Sequence, residues 1–225
     1  MKQFSIKELY TLEETIAKEL FIDKEYPWEV LPCISKFIIE LGSTLSLDEY
    51  EKKEDNIWIA KSAKVAPTAF ISGPAIIGAR AEIRHCAFIR GNAIVGEGAV
   101  IGNSTELKNV VIFNKAQVPH YNYVGDSILG YKAHMGAGSI TSNVKADKTL
   151  VVVKHEAHKI ETGLKKFGAM LGDNVEVGCG SVLNPGTVIG RESNIYPLSS
   201  VRGCIQAYSI YKNQGEVVTK NIINN

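Results

Sequence analysis

His120 stands in the stretch VPHYNYVGD, residues 118 to 126, close to Tyr121 and Tyr123. A neutral imidazole can take a proton from an amine or hydroxyl nucleophile, provided its other nitrogen is held so that the tautomer is fixed. A carboxylate suits that second task, and Glu106 precedes it in the chain. Two cations, Arg90 and Lys108, lie nearby in sequence. On a phosphate the first acts as a planar fork and the second as a point charge. The same residues allow a plainer reading, a corner histidine beside solvated surface cations. The elements that carry them decide between the two.

Those elements follow a ruler. From Ile59, apolar residues recur at a strict six-residue step through Val65, Ile71, Ile77, Ile83, Ile89, Val95, Ile101, Leu107 and Phe113. Alanine stands four residues after each of the first seven, from Ala63 to Ala99, so every unit offers one large and one small inward position. Neither an α-helix nor an alternating strand has that period. Six residues make a short strand and a turn, and three such units close a triangular coil of about eighteen residues whose aliphatic side chains stack on their counterparts. The fold class is therefore an all-β solenoid. Such a coil sets Arg90, Glu106, Lys108 and His120 on neighbouring turns, where they can converge. The step resumes at Leu171, Val177, Leu183, Ile189, Ile195 and Val201, with Gly172, Gly178 and Gly190 as conformationally permissive corners.

The flanks differ in kind. Thr11 followed by Glu14 resembles a capping box and predicts a short helix in TLEETIAKEL. A second helix is predicted in CISKFIIEL, with Ile34, Phe37, Ile38 and Leu41 on one face and Gly42 at its end. Both would cap the coil's open edge, and the charged residues 46 to 56 would form a linker. This divides the chain into an N-terminal helical cap and linker (1–56), a coil (57–206) and a C-terminal tail (207–225). Between about residues 144 and 170 the step lapses in a Lys- and His-rich segment that should leave the coil as a loop or hairpin. His155 and His158 within it read as solvated.

Composition narrows the partners. The 225 residues are 45% apolar and carry 25 basic against 24 acidic side chains, so no basic footprint suggests nucleic acid or a membrane surface. Positive charge that matters must be local. The N-terminus lacks an apolar stretch with a cleavage site, which points to the cytosol. Cys33, Cys86, Cys179 and Cys204 show no CxxC pairing and read as buried reduced thiols, neither a disulfide framework nor a zinc site.

The run ELK at 106 to 108, followed by VPHYNYVGDSILGYKAHMGAGSITSN at 118 to 143, resembles the acetyltransferase half of a bifunctional family. That family combines glucosamine-1-phosphate acetyltransferase with N-acetylglucosamine-1-phosphate uridylyltransferase. The later ETGLKKFGAMLGD is shared with related archaeal sugar-1-phosphate nucleotidylyltransferases, and the resemblance covers about residues 59 to 206. It implies a left-handed parallel β-helix, assembled as a homotrimer with sites between subunits. The implied reaction moves an acetyl group from acetyl-CoA to the amine of glucosamine-1-phosphate or galactosamine-1-phosphate, in nucleotide-sugar biosynthesis, with no metal required.

By the same resemblance His120 is the general base and Glu106 its orienting partner. Arg90, Lys108 and Tyr123 bind the sugar phosphate, and Asn143 contacts the hexosamine. The Ala137 amide stabilises the oxyanion, and Ala137, Cys179 and Pro197 line the coenzyme. His134 stands at a substrate position where the family usually has asparagine, and Lys148 matches a family lysine. After Asn143 the usual Tyr-Asp-Gly gives way to Val144, Lys145 and Ala146. The residues before the coil do not resemble the family's nucleotidyltransferase domain, so uridylyltransferase activity is not expected from this chain.

Two other readings compete. A γ-class carbonic anhydrase shares the coil and holds zinc with three histidines. His85 and His120 are suggestively spaced, but Gly125 occupies the partner position. A non-catalytic β-helix could instead bind a nucleotide sugar or partner a separate nucleotidyltransferase. A base with its orienter argues against that.

Overall fold

The computed structural model describes residues 1–212 and 215–220. From Ile57 onward the chain winds into a left-handed parallel β-helix with three faces. Inward residues stack in three columns. On the first face Ile59 lies in register with Ile77, Val95, Ile112, Leu129, Leu171, Ile189 and Ile205. The second face stacks Val65, Ile83, Ile101 and Val118, then Met135, Val177, Ile195 and Tyr211. The third carries Ile71, Ile89, Leu107 and Val124, then Thr141, Leu183 and Val201. With the small Ala81, Ala87 and Ala99 these side chains form one continuous core. Each rung repeats the last at about 4.8 Å, so side chains in a column are in contact along the whole coil.

The six-residue ruler slips at the corner after Lys108. The strands Glu106–Ile112 and Tyr123–Leu129 run unbroken from the third face round to the first. Their corners are made by single residues with left-handed backbone, Asn109 at φ 55° and Asp126 at φ 49°, where the preceding rung uses two, Gly91 and Asn92. Asparagine and aspartate tolerate this conformation better than other side chains. One residue is saved at each corner, so Ile112, not Phe113, enters the inward column. Phe113 turns outward onto Tyr10 and Phe21, at ring separations of 5.1 and 5.7 Å. The coil thus continues through residues 112 to 141 and does not pause after Phe113.

The first face is apolar on both sides. Its outward residues Ile76, Ile94, Val111, Ile128, Met170 and Val188 are fully buried. Bare, they would make a continuous hydrophobic patch along the coil. Two insertions cover it: the N-terminal segment, through residues such as Phe4, Leu9, Trp28, Ile34 and Ile38, and the excursion, through Val151, Val153 and Phe167. The N-terminal segment therefore lies along a face and does not cap the open edge. Asp173 straps it down, accepting from the amides of Thr11 at 2.7 Å and Tyr131 at 2.8 Å while its own amide donates to the Leu9 carbonyl at 2.9 Å.

The expected helix in TLEETIAKEL is replaced by short 3-10 turns at Leu12–Glu14 and Lys18–Phe21, and Thr11 makes no side-chain cap. Its amide is bound to Asp173, so tertiary contact displaces the capping box. The second helix exists as Ile34–Thr44, with Gly42 inside it and not at its end. A Cβ on Gly42 would stand 2.5 Å from the Trp58 ring, which explains the glycine by close approach. The predicted linker holds the strand Tyr50–Lys53, paired antiparallel with Ile57–Ala60 and covering the coil's first edge. The coil also runs past residue 206, since Ser209–Tyr211 forms a further rung and pairs antiparallel with Val217–Thr219.

Two further expectations change. Gly172, Gly178 and Gly190 do not adopt positive φ; a Cβ on each would stand 2.7, 2.4 and 2.3 Å from the backbone nitrogens of Arg191, Pro197 and Ala207 on the next rung. Rung packing requires them. The thiols are not generally buried: Cys33, Cys86 and Cys179 are exposed, while burial pushes the Cys204 thiol up, to about 12.

Candidate functional site

On each rung of the third face two outward positions flank the inward one. One outward column reads Phe88, Glu106, Tyr123 and Ile140, and the other Arg90, Lys108, Gly125 and Ser142. Arg90, Glu106, Lys108 and Tyr123 therefore meet on adjacent rungs, as the eighteen-residue repeat requires. Arg90 Nη1 donates to Glu106 Oε1 at 2.5 Å. Lys108 Nζ lies 4.0 Å from Asp126 Oδ2.

Asn143 completes the cluster. It is the last residue before the excursion leaves the coil, at the corner directly following the Asp126 rung. Its Nδ2 donates to Asp126 Oδ2 at 2.5 Å and to the Tyr123 hydroxyl at 3.2 Å, while Asn109 Nδ2 donates to Asp126 Oδ1 at 2.9 Å. Asp126 is 5% exposed. A buried carboxylate with two amide donors and an ammonium near it is a fixed acceptor that sets the positions of the groups around it.

Gly125 forms the floor. A Cβ there would stand 2.5 Å from the Tyr123 hydroxyl and 2.9 Å from Asn143 Nδ2. Burial pushes the Tyr123 phenol above its ordinary value; Asp126 and Glu106 add to the shift, while Asn143 and Arg90 oppose it. The phenol therefore stays protonated around neutral pH and can donate a hydrogen bond. Gly125 and Asp126 were not singled out as site residues in the sequence. The GD doublet was the available signal, because it pairs a missing side chain with a residue that accepts left-handed backbone.

His120 belongs to the other end of this face. It is exposed, at the corner between the second and third faces, and its carbonyl accepts from Gly138 N at 2.9 Å. The corner continues upward rung by rung: the Ala137 carbonyl accepts from Gly180 N at 2.9 Å and the Cys179 carbonyl from Leu198 N at 2.9 Å. His120, Ala137, Cys179 and Pro197 therefore share one edge. Among the described residues, the Ala137 amide has no hydrogen-bond acceptor. Within the chain Glu106 is engaged by Arg90 and makes no hydrogen bond to His120.

Two expected residues lie elsewhere. His134 sits on the second face, with its Nδ1 2.8 Å from Glu176 Oε2. Lys148 is exposed in the excursion, in a turn closed by its amide on the Lys145 carbonyl at 3.0 Å. His85 pairs with Thr68, Nδ1 to Oγ1 at 2.6 Å. Among the described residues no group of three or more His, Cys, Asp or Glu side chains is arranged to hold a metal ion. No helix of the described residues is long and apolar enough to cross a membrane.

The sequence is 32% identical over 201 residues to the "Bifunctional protein GlmU" of Methanococcus maripaludis strain S2, covering 88% of this chain and 49% of that protein. Over that span the chain is similar to GlmU-type proteins. It spans about half the length of the curated relatives it matches. A "Bifunctional sugar-1-phosphate nucleotidylyltransferase/acetyltransferase" of Sulfurisphaera tokodaii is 37% identical over 97 residues, 43% of this chain and 24% of that one. Residues 71–161 match the family described as the GMPPB C-terminal domain. Among solved structures, a hexapeptide transferase family protein from Anaplasma phagocytophilum aligns with a TM-score of 0.49 at 18% identity, covering 74% of this chain and 80% of that one.

Proposed function

We propose that the chain is an acetyl-CoA-dependent sugar N-acetyltransferase whose acceptor is a hexosamine-1-phosphate of the glucosamine or galactosamine type. The observation that carries this reading is the third-face cluster, where Arg90, Lys108, Tyr123 and Asn143 surround the glycine floor at Gly125. Two cations beside neutral donors suit a phosphate ester and sugar hydroxyls. The GlmU-type relatives, which match nearly the whole chain, support the same reaction class.

In this reading the free amine of the sugar attacks the thioester carbonyl as the His120 imidazole takes its proton. The negative charge that develops on the carbonyl oxygen is met by the Ala137 amide. The tetrahedral adduct collapses, the carbon–sulfur bond breaks, and the imidazolium returns its proton to the coenzyme thiolate. Acetyl-CoA lies along the edge of Ala137, Cys179 and Pro197. Glu106 sets the Arg90 guanidinium, and Asp126 sets Lys108, Asn143 and, through Asn143, Tyr123. The homotrimer belongs to this proposal, with its sites between subunits.

The test measures thiol release from acetyl-CoA with glucosamine-1-phosphate and galactosamine-1-phosphate. One of them supports turnover, and His120→Ala lowers kcat by about 100-fold or more, the usual size of a general-base contribution. A folded protein that releases no thiol with either sugar overturns the reading.

A further inference from the structure

Beyond Asn143 the same outward column continues in register through Ser142, Asn184 and Arg202. There the excursion folds back against the coil and borders an open cavity of about 570 Å³. Its packing is specific. Val151 and Val153 are fully buried, and Gly186 and Gly203, at φ 81° and 76°, let the hairpin strand Val152–His155 lie close against the corner. A Cβ on Gly186 would stand 2.7 Å from Val151 Cγ1, and one on Gly203 would stand 3.1 Å from the Lys154 carbonyl.

Three cations line this cavity, Lys145, Lys154 and Arg202, against one carboxylate, Asp147. Asp147 is already occupied: it accepts from the Thr149 amide at 3.0 Å and hydroxyl at 2.8 Å and faces Lys145 at 3.3 Å. Among the described residues neither Lys154 nor Arg202 has a carboxylate partner. In a chain with a formal net charge of only +1, this is a concentrated positive site. The remaining wall includes the apolar Val152 and Pro185. The volume falls within the range of nucleotide-sized ligand pockets, about 300 to 1,000 Å³, and exceeds what one phosphate fills.

The geometry points to a nucleoside diphosphate site in this cavity, separate from the sugar-phosphate cluster. Arg202 takes one phosphate as a fork, Lys145 and Lys154 neutralise the other, and the nucleoside rests on Val152 and Pro185. Two molecules carry that group in the proposed reaction: an amino sugar that arrives already linked to a nucleoside diphosphate, or coenzyme A itself.

Calorimetric titration of the full chain with uridine diphosphate and with coenzyme A separates the two. At least one of them binds, more weakly as salt is raised, and Arg202→Ala weakens that binding at least tenfold. Arg202→Lys, which keeps the charge and removes the fork, falls between. A loss in Arg202→Ala confined to uridine diphosphate identifies a nucleotide-linked sugar; a loss that includes coenzyme A identifies the acyl donor. Arg202 is exposed, so an unchanged melting temperature in both variants separates lost binding from lost fold. If neither probe binds, or if Arg202→Ala binds as tightly as the parent protein, the site is overturned. The readout is equilibrium binding, so this result stands apart from the thiol-release assay.

Discussion

Gly125 carries no functional group, yet the candidate site depends on it. Tyr123 and Asn143 close over it so tightly that a single methyl group would meet the Tyr123 hydroxyl at 2.5 Å. Gly125→Ala is expected to push the phenol and the Asn143 amide apart and to break the bond that joins them. Because the position faces outward from the coil, the inward column is untouched. The expected result is about a tenfold rise in KM for the sugar phosphate with a melting temperature within a few degrees of the parent. An unchanged KM would mean that substrate does not use this floor.

Among the elements, the N-terminal segment is the one whose local sequence was overruled. Tyr10 is packed between Phe21 and Phe113, and its hydroxyl is buried without a partner among the described residues. An unsatisfied buried hydroxyl costs about 1 kcal/mol or more, so Tyr10→Phe should be neutral or stabilising by about that amount in urea unfolding. Burial, with Asp173 adding, raises the Tyr10 phenol well above its ordinary value. The folded state keeps this proton where the unfolded chain has already released it. Stability is thus fully present below the unfolded value of about 10 and falls as pH rises above it. Tyr10→Phe should flatten part of that decline, and the difference between the two pH profiles is the measurement. Identical profiles would show that Tyr10 does not titrate in the way its burial implies.

At the scale of the whole molecule, one face of the coil is built to be covered. Ile76, Ile94, Val111, Ile128, Met170 and Val188 point away from the coil's interior and are nevertheless fully buried. Removing residues 1–44 should uncover most of this column, and the truncated chain should aggregate or bind a hydrophobic dye strongly in light-scattering and fluorescence measurements. A monodisperse truncated coil would show that the rungs alone are sufficient. The same cover explains the excursion's position: its hairpin seals the far end of the face and in doing so forms the cationic cavity.

The six-residue step determined the coil by itself, because stacking identical aliphatic residues on successive rungs is the one arrangement that satisfies that period. It also determined that Arg90, Glu106 and Lys108 share a face, since positions about eighteen residues apart recur on neighbouring rungs. Tertiary structure decided what depends on corners and on distant contact. A saved residue at Asn109 and again at Asp126 shifted the register and turned Phe113 outward. Thr11 gave its amide to Asp173, 162 residues away, in place of starting a helix. Glu106 joined Arg90, and His134 joined Glu176, because side-chain partners are set by the geometry of rungs and faces. Periodicity is a local property and can be read along the chain. Which carboxylate meets which cation depends on where the corners fall, and one residue more or less at a corner changes the answer.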